Sequence, residues 1–355
     1  MHMRLLLFTQ IVDEEDAVLG FVSGWIRALA PHYESLTVIS LKEGTHTFPK
    51  NVHVHSLGKE RNTSNIRGIG RVMTRLRYVC RFYYLLWKTR GTYDAVLVHM
   101  NQEYLLLAGW LWHLQGIPAY LWRNYHSGNL GTRIAVWFSR RVFYTSRSSY
   151  IARFNNAIRM PVGIGLAQYV SSEPVNRIPN SILSLGRISP DKRLDTFVEA
   201  LGILATRNIQ FSAHLYGDAL PEHTSYRDSL IARIKELGIA ERVFWYKAVP
   251  NKDTSVVYRA HEIFVNLSPS GMYDKTIFEA AASGCLVLAS SADFAEEMGE
   301  KLSFFYGDAV SLADKLVELL ASSGTGRVEL QNSLAALAER HSLVHLIERF
   351  TEQIV

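Results

Sequence analysis

The chain has 355 residues, of which 48% are hydrophobic, enough apolar material for two domains with separate cores. Its two cysteines, Cys80 and Cys285, lie far apart and outside any metal-binding spacing, so a reducing cytoplasm is the setting we expect. The net charge of +5 conceals an asymmetry, because residues 1–172 carry 20 basic and 9 acidic side chains whereas the remaining residues carry 18 and 24. The two halves should therefore face different partners.

Short apolar runs alternate with amphipathic stretches along the whole chain. The runs predict strands near residues 3–9, 36–41, 51–57, 94–100, 119–124, 141–145, 182–185, 211–216, 242–247, 263–268, 286–289 and 302–306. Alternating strands and helices imply parallel sheets covered on both faces. A polar stretch at 171–180 predicts a linker, with domains at 1–170 and 171–340. A final helix is predicted at 341–355, and the residues alone leave open whether it packs on the second domain or back on the first.

The first half contains a basic, amphipathic segment. Residues 61–93 hold eight basic side chains and no acidic one, and Arg67, Arg71 and Arg75 form a stripe at four-residue steps, followed by Arg81 and Lys88. Such a helix either lies on an anionic membrane or is an ordinary domain helix with solvated arginines. The apolar stretch near the first residues is too short for a signal peptide, and the YLLLAGWLWHL run is too short to cross a bilayer. We therefore expect a cytoplasmic protein, either free or peripheral on the inner face of the membrane.

A candidate anion site follows the strand predicted at 182–185. Gly186 allows a sharp turn, and Arg187 and Lys192 stand five positions apart just before a helical pattern. The two cations can converge on one diphosphate beside exposed helix amides, although an isolated Arg-x4-Lys spacing also describes two solvated surface charges.

A second segment, residues 263–290, has the order strand, turn, helix, glycine and strand, and places Glu279 on an otherwise apolar helix. Taken together, the two segments resemble the retaining GT-B glycosyltransferases of family 4, as do FTQIVDEEDAVLGF, LWRNYHSGN and RRVFYTS in the first half. The resemblance implies two Rossmann-like parallel-sheet domains that face each other across a cleft. It also implies that Arg187 and Lys192 grip the donor diphosphate and that Glu279 holds the nucleotide ribose, the alternative for Glu279 being an ordinary helix-surface acid.

One departure from the family concerns sugar recognition. Many members carry two glutamates eight positions apart, of which the first contacts the donor sugar. This chain has Glu279 at the position of the second glutamate and Gly271 at the position of the first. Donor-sugar binding is therefore expected to use the turn itself, either through the backbone amides of Met272, Tyr273, Asp274 and Lys275 or through the Asp274 and Lys275 side chains. Gly217 and Val249 are also expected on the donor side.

The resemblance extends to the acceptor domain. His126 occupies the place of a histidine near the donor sugar, and otherwise is a loop residue without a task. Gly20 and Asn124 are expected on the acceptor side. Asp16 either contacts an acceptor hydroxyl or solvates its loop.

The expected activity is transfer of a hexose from a nucleoside-diphosphate sugar to a glycan or lipid-linked acceptor, with retention of anomeric configuration. No Asp-x-Asp element is evident, so we expect neither a metal nor another cofactor. Sugar-nucleotide epimerases and phosphorylases of the same fold are the nearest rivals. The chain lacks the G-x-G-x-x-G turn that a dehydrogenase needs. A nucleic-acid-binding module would leave the diphosphate motif unexplained, so no nucleic-acid partner is expected.

Overall fold

The computed structural model describes residues 3–16, 18–61, 69–170, 176–271 and 273–354, without the side chains of residues 69–71. The chain divides into two compact units. The first domain comprises Met1–Thr145, Ser149–Met160 and Leu346–Val355, and the second comprises Ser146–Ser148 and Pro161–His345. The second domain thus begins ten residues before the expected boundary. Most of the expected linker, residues 171–175, lies outside the described residues.

The first domain is built on a seven-stranded sheet in which all neighbouring strands are parallel. Its elements are β1 (Arg4–Val12), α1 (Phe21–Leu29), β2 (Ser35–Glu43), β3 (Val52–Ser56), α2 (Ile69–Lys88), β4 (Ala95–His99), α3 (Glu103–Leu114), β5 (Ala119–Trp122), α4 (Leu130–Trp137), β6 (Arg141–Tyr144) and β7 (Ala157–Arg159). The strand order is β3-β2-β1-β4-β5-β6-β7. Because the sheet is covered on both faces, its central strands are almost wholly apolar and buried, as expected for parallel strands.

The second domain carries a five-stranded parallel sheet with the order β10-β9-β8-β11-β12. Its elements are α5 (Leu166–Tyr169), β8 (Ser181–Leu185), α6 (Leu194–Thr206), β9 (Ser212–Tyr216), α7 (Thr224–Glu236), β10 (Val243–Tyr246), α8 (Thr254–Ala260), β11 (Ile263–Asn266), α9 (Lys275–Ala282), β12 (Leu286–Ala289), α10 (Ala292–Met298), α11 (Ala309–Leu320) and α12 (Gly324–Arg340). The last helix, α13, spans Leu343–Gln353.

The end of the chain packs in the first domain. Phe350 of α13 is fully buried among aromatic rings of α1, β5 and β6, with centroid distances of 6.1 Å to Trp25, 5.5 Å to Trp122 and 5.3 Å to Phe143. Aromatic contacts of this kind add to the free energy gained by burying the rings. The last ten residues therefore complete the core of the first domain.

Helices α2, α3 and α4 share one hydrophobic core on a single face of the first sheet. Phe8 of β1 lies at its centre, 5.5 Å from Phe82 of α2 and 4.8 Å from Tyr104 of α3, measured between ring centroids. Phe82, Leu85 and Leu86 form the buried side of α2, whereas other apolar positions of this amphipathic helix, Val72, Leu76 and Tyr83, are exposed. Arg67 and the side chain of Arg71 lie outside the described residues.

The structure corrects two strand predictions. Strand β7 was not predicted, because three residues give too short a pattern to recognise. The strand predicted at 302–306 is wrong. Residues Glu300–Leu302 form a 3-10 helix, and only Ser303 makes a single bridge, to Ala289. Leu302 and Phe304 are buried, but one bridge to β12 is too little pairing for a strand.

None of the helices that the structure describes is both long enough and apolar enough to span a bilayer.

Candidate functional site

The turns after β8 and β9 run side by side at the carboxyl edge of the second sheet. Gly186 donates its N–H to the carbonyl of Tyr216 at 3.0 Å, and Ile188 donates to the carbonyl of Asp218 at 3.1 Å. A Cβ atom added at Gly217 would lie 1.9 Å from the Gly186 carbonyl oxygen, so only glycine allows the two turns to approach this closely. Gly217 has a φ of 156°, which L-residues rarely adopt.

A pocket opens at this edge, where parallel α/β sheets usually bind ligands. Its walls come from the ends of β8, β9 and β11 and from the loop that precedes α6: residues 184–188, Lys192, Leu194, Leu215, Tyr216 and residues 265–268. Arg187 is exposed at the wall of the pocket. The pocket thus brings together the two cations that the sequence motif predicted to act on one anion.

Lys192 is held in place by the loop that follows β11. Its Nζ donates to Asp274 Oδ2 at 2.7 Å and to Ser268 Oγ at 2.8 Å, and Ser268 in turn donates to the same carboxylate oxygen at 2.9 Å. The Lys192 and Asp274 side chains are 22% and 19% exposed. Burial opposes ionisation of Asp274, but the adjacent Lys192 ammonium outweighs it and holds the pKa of this carboxyl well below its ordinary value.

Asp274 has a second task as the N-cap of α9. Its Oδ1 accepts the Thr276 N–H at 3.3 Å, and Asn266 at the end of β11 donates to Thr276 Oγ1 at 3.0 Å. A single carboxylate therefore both starts the helix that carries Glu279 and orients the pocket lysine. Sequence reasoning placed Asp274 near the donor sugar and missed its ion pair with Lys192.

Glu279 lies inside the domain, with the residue only 4% exposed, and it does not line the pocket. Its Oε2 accepts a hydrogen bond from Tyr258 Oη at 3.1 Å, and the Tyr169 hydroxyl also bonds to it. Burial raises the pKa of Glu279, while the neighbouring Lys275 ammonium acts against that shift. The sequence analysis did not identify Tyr258 and Tyr169 as partners of Glu279, because an isolated tyrosine forms no pattern that predicts such a hydrogen bond.

Lys275 is also buried, and its Nζ donates to the carbonyls of Val162 and Gly163 at 2.8 and 2.7 Å. Burial lowers the pKa of this ammonium. Lys275 therefore ties α9 to the segment at which the second domain begins. Lys275 was expected to contact the donor sugar, but it is not among the residues that line the pocket.

The glycine-containing turn before α9 contacts Ser146–Ser148, a segment from the first half of the chain that belongs to the second domain. Gly271 donates its N–H to Ser146 Oγ at 3.1 Å, and Ser146 hydrogen-bonds to Asp293 of α10. Asp293 also accepts the Arg147 N–H at 2.7 Å. These three polar residues were missed, since no motif marks them.

The remaining donor-side residues are dispersed. Tyr273 is buried and packs 4.7 Å from the Phe278 ring, measured between centroids. Val249 is half-buried beyond the end of β10, and Met272 lies outside the described residues.

In the first domain, two of the predicted acceptor-side residues hold the backbone of their own loops. Asp16 Oδ1 accepts from the N–H groups of Val18 and Leu19 at 2.9 and 2.8 Å. Asn124 Oδ1 accepts the Thr145 N–H at 2.6 Å. His126 is exposed after β5, with its ring 4.4 Å from that of Tyr125, and Gly20 is buried just before α1.

Within the described ranges, His, Cys, Asp and Glu side chains form no group of three that could hold a metal ion.

The second sheet contains a buried histidine whose protonation should affect stability. His214 of β9 lies 4.5 Å from the His261 ring, measured between centroids, and its Nε2 contacts Ser212 Oγ at 3.1 Å. Burial, and then the neighbouring His261, lowers the pKa of His214 to about 4. Because the unfolded chain keeps the ordinary pKa near 6.5, it binds a proton that the folded chain does not, and stability falls as the pH drops from 6.5 towards 4.

We therefore predict that the loss of unfolding free energy between pH 7 and pH 5 is about 2 kcal/mol smaller in His214→Gln than in the parent chain. Urea unfolding at the two pH values measures this difference. His32→Gln, at an exposed position of the first domain, is the matched control. An unchanged acid sensitivity in His214→Gln would contradict the assignment.

Comparison with known proteins identifies the domain that holds the pocket. Residues 179–322 match the sequence model of the family Glycosyl transferases group 1, and Arg187, Lys192, Asp274 and Glu279 all lie within the match. Residues 179–322 are a group 1 glycosyl transferase domain. The two glycine turns and the helix α9 described above are thus parts of the group 1 domain.

Two curated relatives support this assignment over part of the chain. Mannosylfructose-phosphate synthase of Agrobacterium fabrum is 32% identical over 106 residues, which are 29% of this chain and 23% of that protein. Lipopolysaccharide core biosynthesis mannosyltransferase LpcC of Rhizobium leguminosarum bv. viciae is 30% identical over 134 residues, 36% of this chain and 38% of that protein. The matched stretches thus span less than two-fifths of either relative.

Solved structures resemble the whole chain. HepE from Anabaena, crystallised with UDP and glucose, superposes with a TM-score of 0.75 over 99% of both chains at 19% identity. The two parallel-sheet α/β domains, one of them the group 1 domain, therefore form a GT-B fold, as the sequence predicted.

Proposed function

We propose that the chain is a retaining glycosyltransferase of family 4 that transfers a hexose from a nucleoside-diphosphate sugar to a glycan or lipid-linked acceptor. The observation that carries this proposal is the convergence of Arg187 and Lys192 on one pocket at the carboxyl ends of three parallel strands. The group 1 domain that contains the pocket supports it, as do the names of relatives, which include a mannosyltransferase and a protein bound to UDP and glucose.

The chemistry follows from where negative charge develops. When the bond between the sugar and the diphosphate breaks, the leaving phosphate gains charge, and fixed cations stabilise that state more than the bound donor. Lys192 is already oriented by Asp274 and Ser268, so little reorganisation is needed when the donor binds. Arg187 is exposed and lies in the pocket wall, where it can supply the second charge-assisted hydrogen bond.

Retention is part of the proposal because of the family resemblance. The acceptor hydroxyl would attack the anomeric carbon from the face that the diphosphate leaves. The acceptor proton would pass to the leaving phosphate oxygen. Sugar, proton and charge then balance without a protein nucleophile.

The experiment is a donor screen followed by product analysis. UDP-, GDP- and ADP-hexoses are first compared by thermal shift, since a ligand bound only by the folded chain raises its Tm. The stabilising donor is then incubated with glycan and lipid-linked acceptors. We expect release of nucleoside diphosphate and a product with the donor's anomeric configuration by NMR. Inversion would overturn the mechanism, and an epimerised donor without glycosylated product would identify an epimerase instead.

Turnover should not depend on a divalent cation, because Arg187 and Lys192 can neutralise the diphosphate themselves. We expect the rate in excess EDTA to stay within twofold of the rate without chelator. The measurement is the initial rate of nucleoside diphosphate release, with and without added Mg²⁺. An absolute magnesium requirement would contradict the roles assigned to the two cations.

We also propose that Glu279 binds the ribose hydroxyls, with Tyr258 and Tyr169 orienting its carboxylate. Hydrogen bonds to a charged group contribute about 1.5–3 kcal/mol, so Glu279→Gln should raise the Kd for the nucleoside diphosphate by about 10- to 100-fold. Calorimetric titration measures this change.

Tyr258→Phe is the matched control, because it removes a hydrogen bond to Glu279 while leaving the carboxylate in place. It should lower the Tm and change the Kd little. If both variants lower the Tm and neither changes the Kd, Glu279 is a structural residue of the domain and the ribose assignment fails.

A further inference from the structure

Three helices on one face of the first sheet expose large apolar side chains to solvent. Leu76 and Trp87 of α2, Trp110 and Leu114 of α3, and Leu130 and Trp137 of α4 are each between 47% and 76% exposed. We call the exposed side of α2, α3 and α4 that carries these six residues the outer face. Single exposed hydrophobic residues are ordinary on proteins, but a cluster of this size marks an interaction surface.

The six side chains form one stripe per helix. The spacing is 11 residues between Leu76 and Trp87, about three helical turns, whereas the pairs on α3 and α4 are spaced by four and seven residues. Each pair therefore points to the same side of its helix. The opposite sides of the three helices are already buried in a common core.

The three helices are also directly connected. Tyr83 of α2 donates its hydroxyl to the Leu107 carbonyl of α3 at 2.8 Å. The ring of His113 on α3 lies 5.8 Å from that of Trp137 on α4, measured between centroids. The outer face is thus a continuous surface of the first domain.

The charged groups of this surface are almost all positive. Helices α2 and α4 carry basic and no acidic side chains, and the acidic residue of α3 is Glu103 at its first position. Arg75 and Arg77 of α2 and Arg133 of α4 are exposed beside the apolar stripes. The Arg90 guanidinium lies 5.0 Å from the centre of the Trp87 ring, so the cation and the indole form a cation–π contact on this surface.

We infer that the outer face docks on an anionic lipid bilayer. Membrane interfaces bind protein surfaces that combine three kinds of residue. Tryptophans lie at the level of the headgroups, aliphatic side chains reach below them, and basic residues between them contact the anionic lipids. A second copy of the chain is a poor occupant, because pairing two outer faces would bring like charges together. The inference does not depend on the proposed function, since it concerns binding alone, but a docked first domain would meet lipid-linked acceptors at the membrane surface.

The test is sedimentation of the full chain with phosphatidylcholine vesicles, with and without a third of phosphatidylglycerol. We expect binding to the anionic vesicles, a blue shift of tryptophan emission and weaker binding in high salt. Replacing Trp87, Trp110 and Trp137 together by alanine should lower the partition coefficient by at least about 100-fold, since each ring loses its apolar contact with the interface. Arg75→Gln with Arg77→Gln and Arg133→Gln should lower it by a similar factor on anionic vesicles alone.

Phe305→Ala is the matched control, since Phe305 is 77% exposed in the second domain and outside the outer face. It should sediment with vesicles like the parent chain. Quenching of the parent chain's tryptophan emission by brominated lipid provides a second measurement that needs no variant. Failure to bind anionic vesicles, equal binding by the triple tryptophan variant, or self-association without lipid that this variant abolishes would each overturn the inference. Retention on DNA without binding to vesicles would do the same.

Discussion

Replacing Lys192 with alanine should lower kcat/KM for the nucleoside-diphosphate sugar by about 100- to 1000-fold, the effect typical of removing one group that stabilises transition-state charge. The ammonium lies in the pocket at 2.7 Å from Asp274 and 2.8 Å from Ser268, so its position is defined before the donor arrives. Steady-state rates of nucleoside diphosphate release measure the loss. Most of it should appear in kcat, because the interaction strengthens as the leaving phosphate gains charge.

The same substitution also affects stability, and the two effects can be separated. Removing Lys192 leaves the largely buried Asp274 carboxylate without its cation, at a cost of about 3 kcal/mol. The double variant Lys192→Ala with Asp274→Asn removes both charges and should recover most of the lost Tm, while its kcat/KM stays as low as that of the single variant. Recovery of activity together with Tm would show that Lys192 acts only on folding.

Lys235→Ala is the matched control for a lost positive charge. Lys235 is exposed on α7 and contributes nothing to the pocket wall, so its rate and Tm should stay close to those of the parent chain. Loss of rate in this variant would point to an unspecific effect of net charge.

The sequence predicted much of the fold because parallel strands are buried on both faces and appear as short apolar runs between helical patterns. The strand ILSL before Gly186 and the strand IFVN before the α9 turn were both found in this way. The prediction was wrong where an apolar run is buried but makes a single bridge to its neighbouring strand instead of a ladder, as at Leu302 and Phe304. It missed β7, whose residues Ala157–Arg159 are only half-buried and too few to show a period.

The candidate site was partly predictable for a similar reason. Arg187 and Lys192 belong to one local motif, so a strand, a glycine and a five-residue spacing suffice to place both near the strand end. The partner of Lys192 is 82 residues away, and its choice depends on how α9 begins, which no local pattern specifies. The contact of Glu279 with Tyr258 likewise depends on the packing of α8 against α9.

Among the glycines of the group 1 domain whose surroundings the structure describes, Gly217 should tolerate alanine least. The new Cβ would lie 1.9 Å from the Gly186 carbonyl oxygen, a backbone atom that cannot rotate away, and the φ of 156° at this position disfavours any L-residue. Overpacking and backbone strain each cost about 1–3 kcal/mol, so a loss of about 3 kcal/mol or more is expected in chemical unfolding.

Gly326→Ala provides the comparison, because Gly326 lies in α12 with no atom near its added Cβ and no unusual φ. Alanine is the better helix former, so this variant should gain up to about 1 kcal/mol. The contact between the Gly217 and Gly186 turns also orients Arg187, since the Ile188 N–H beside it bonds to the Asp218 carbonyl. Gly217→Ala should therefore lose nucleotide affinity even at temperatures where it remains folded, whereas a variant with unchanged affinity would show that the two turns move independently.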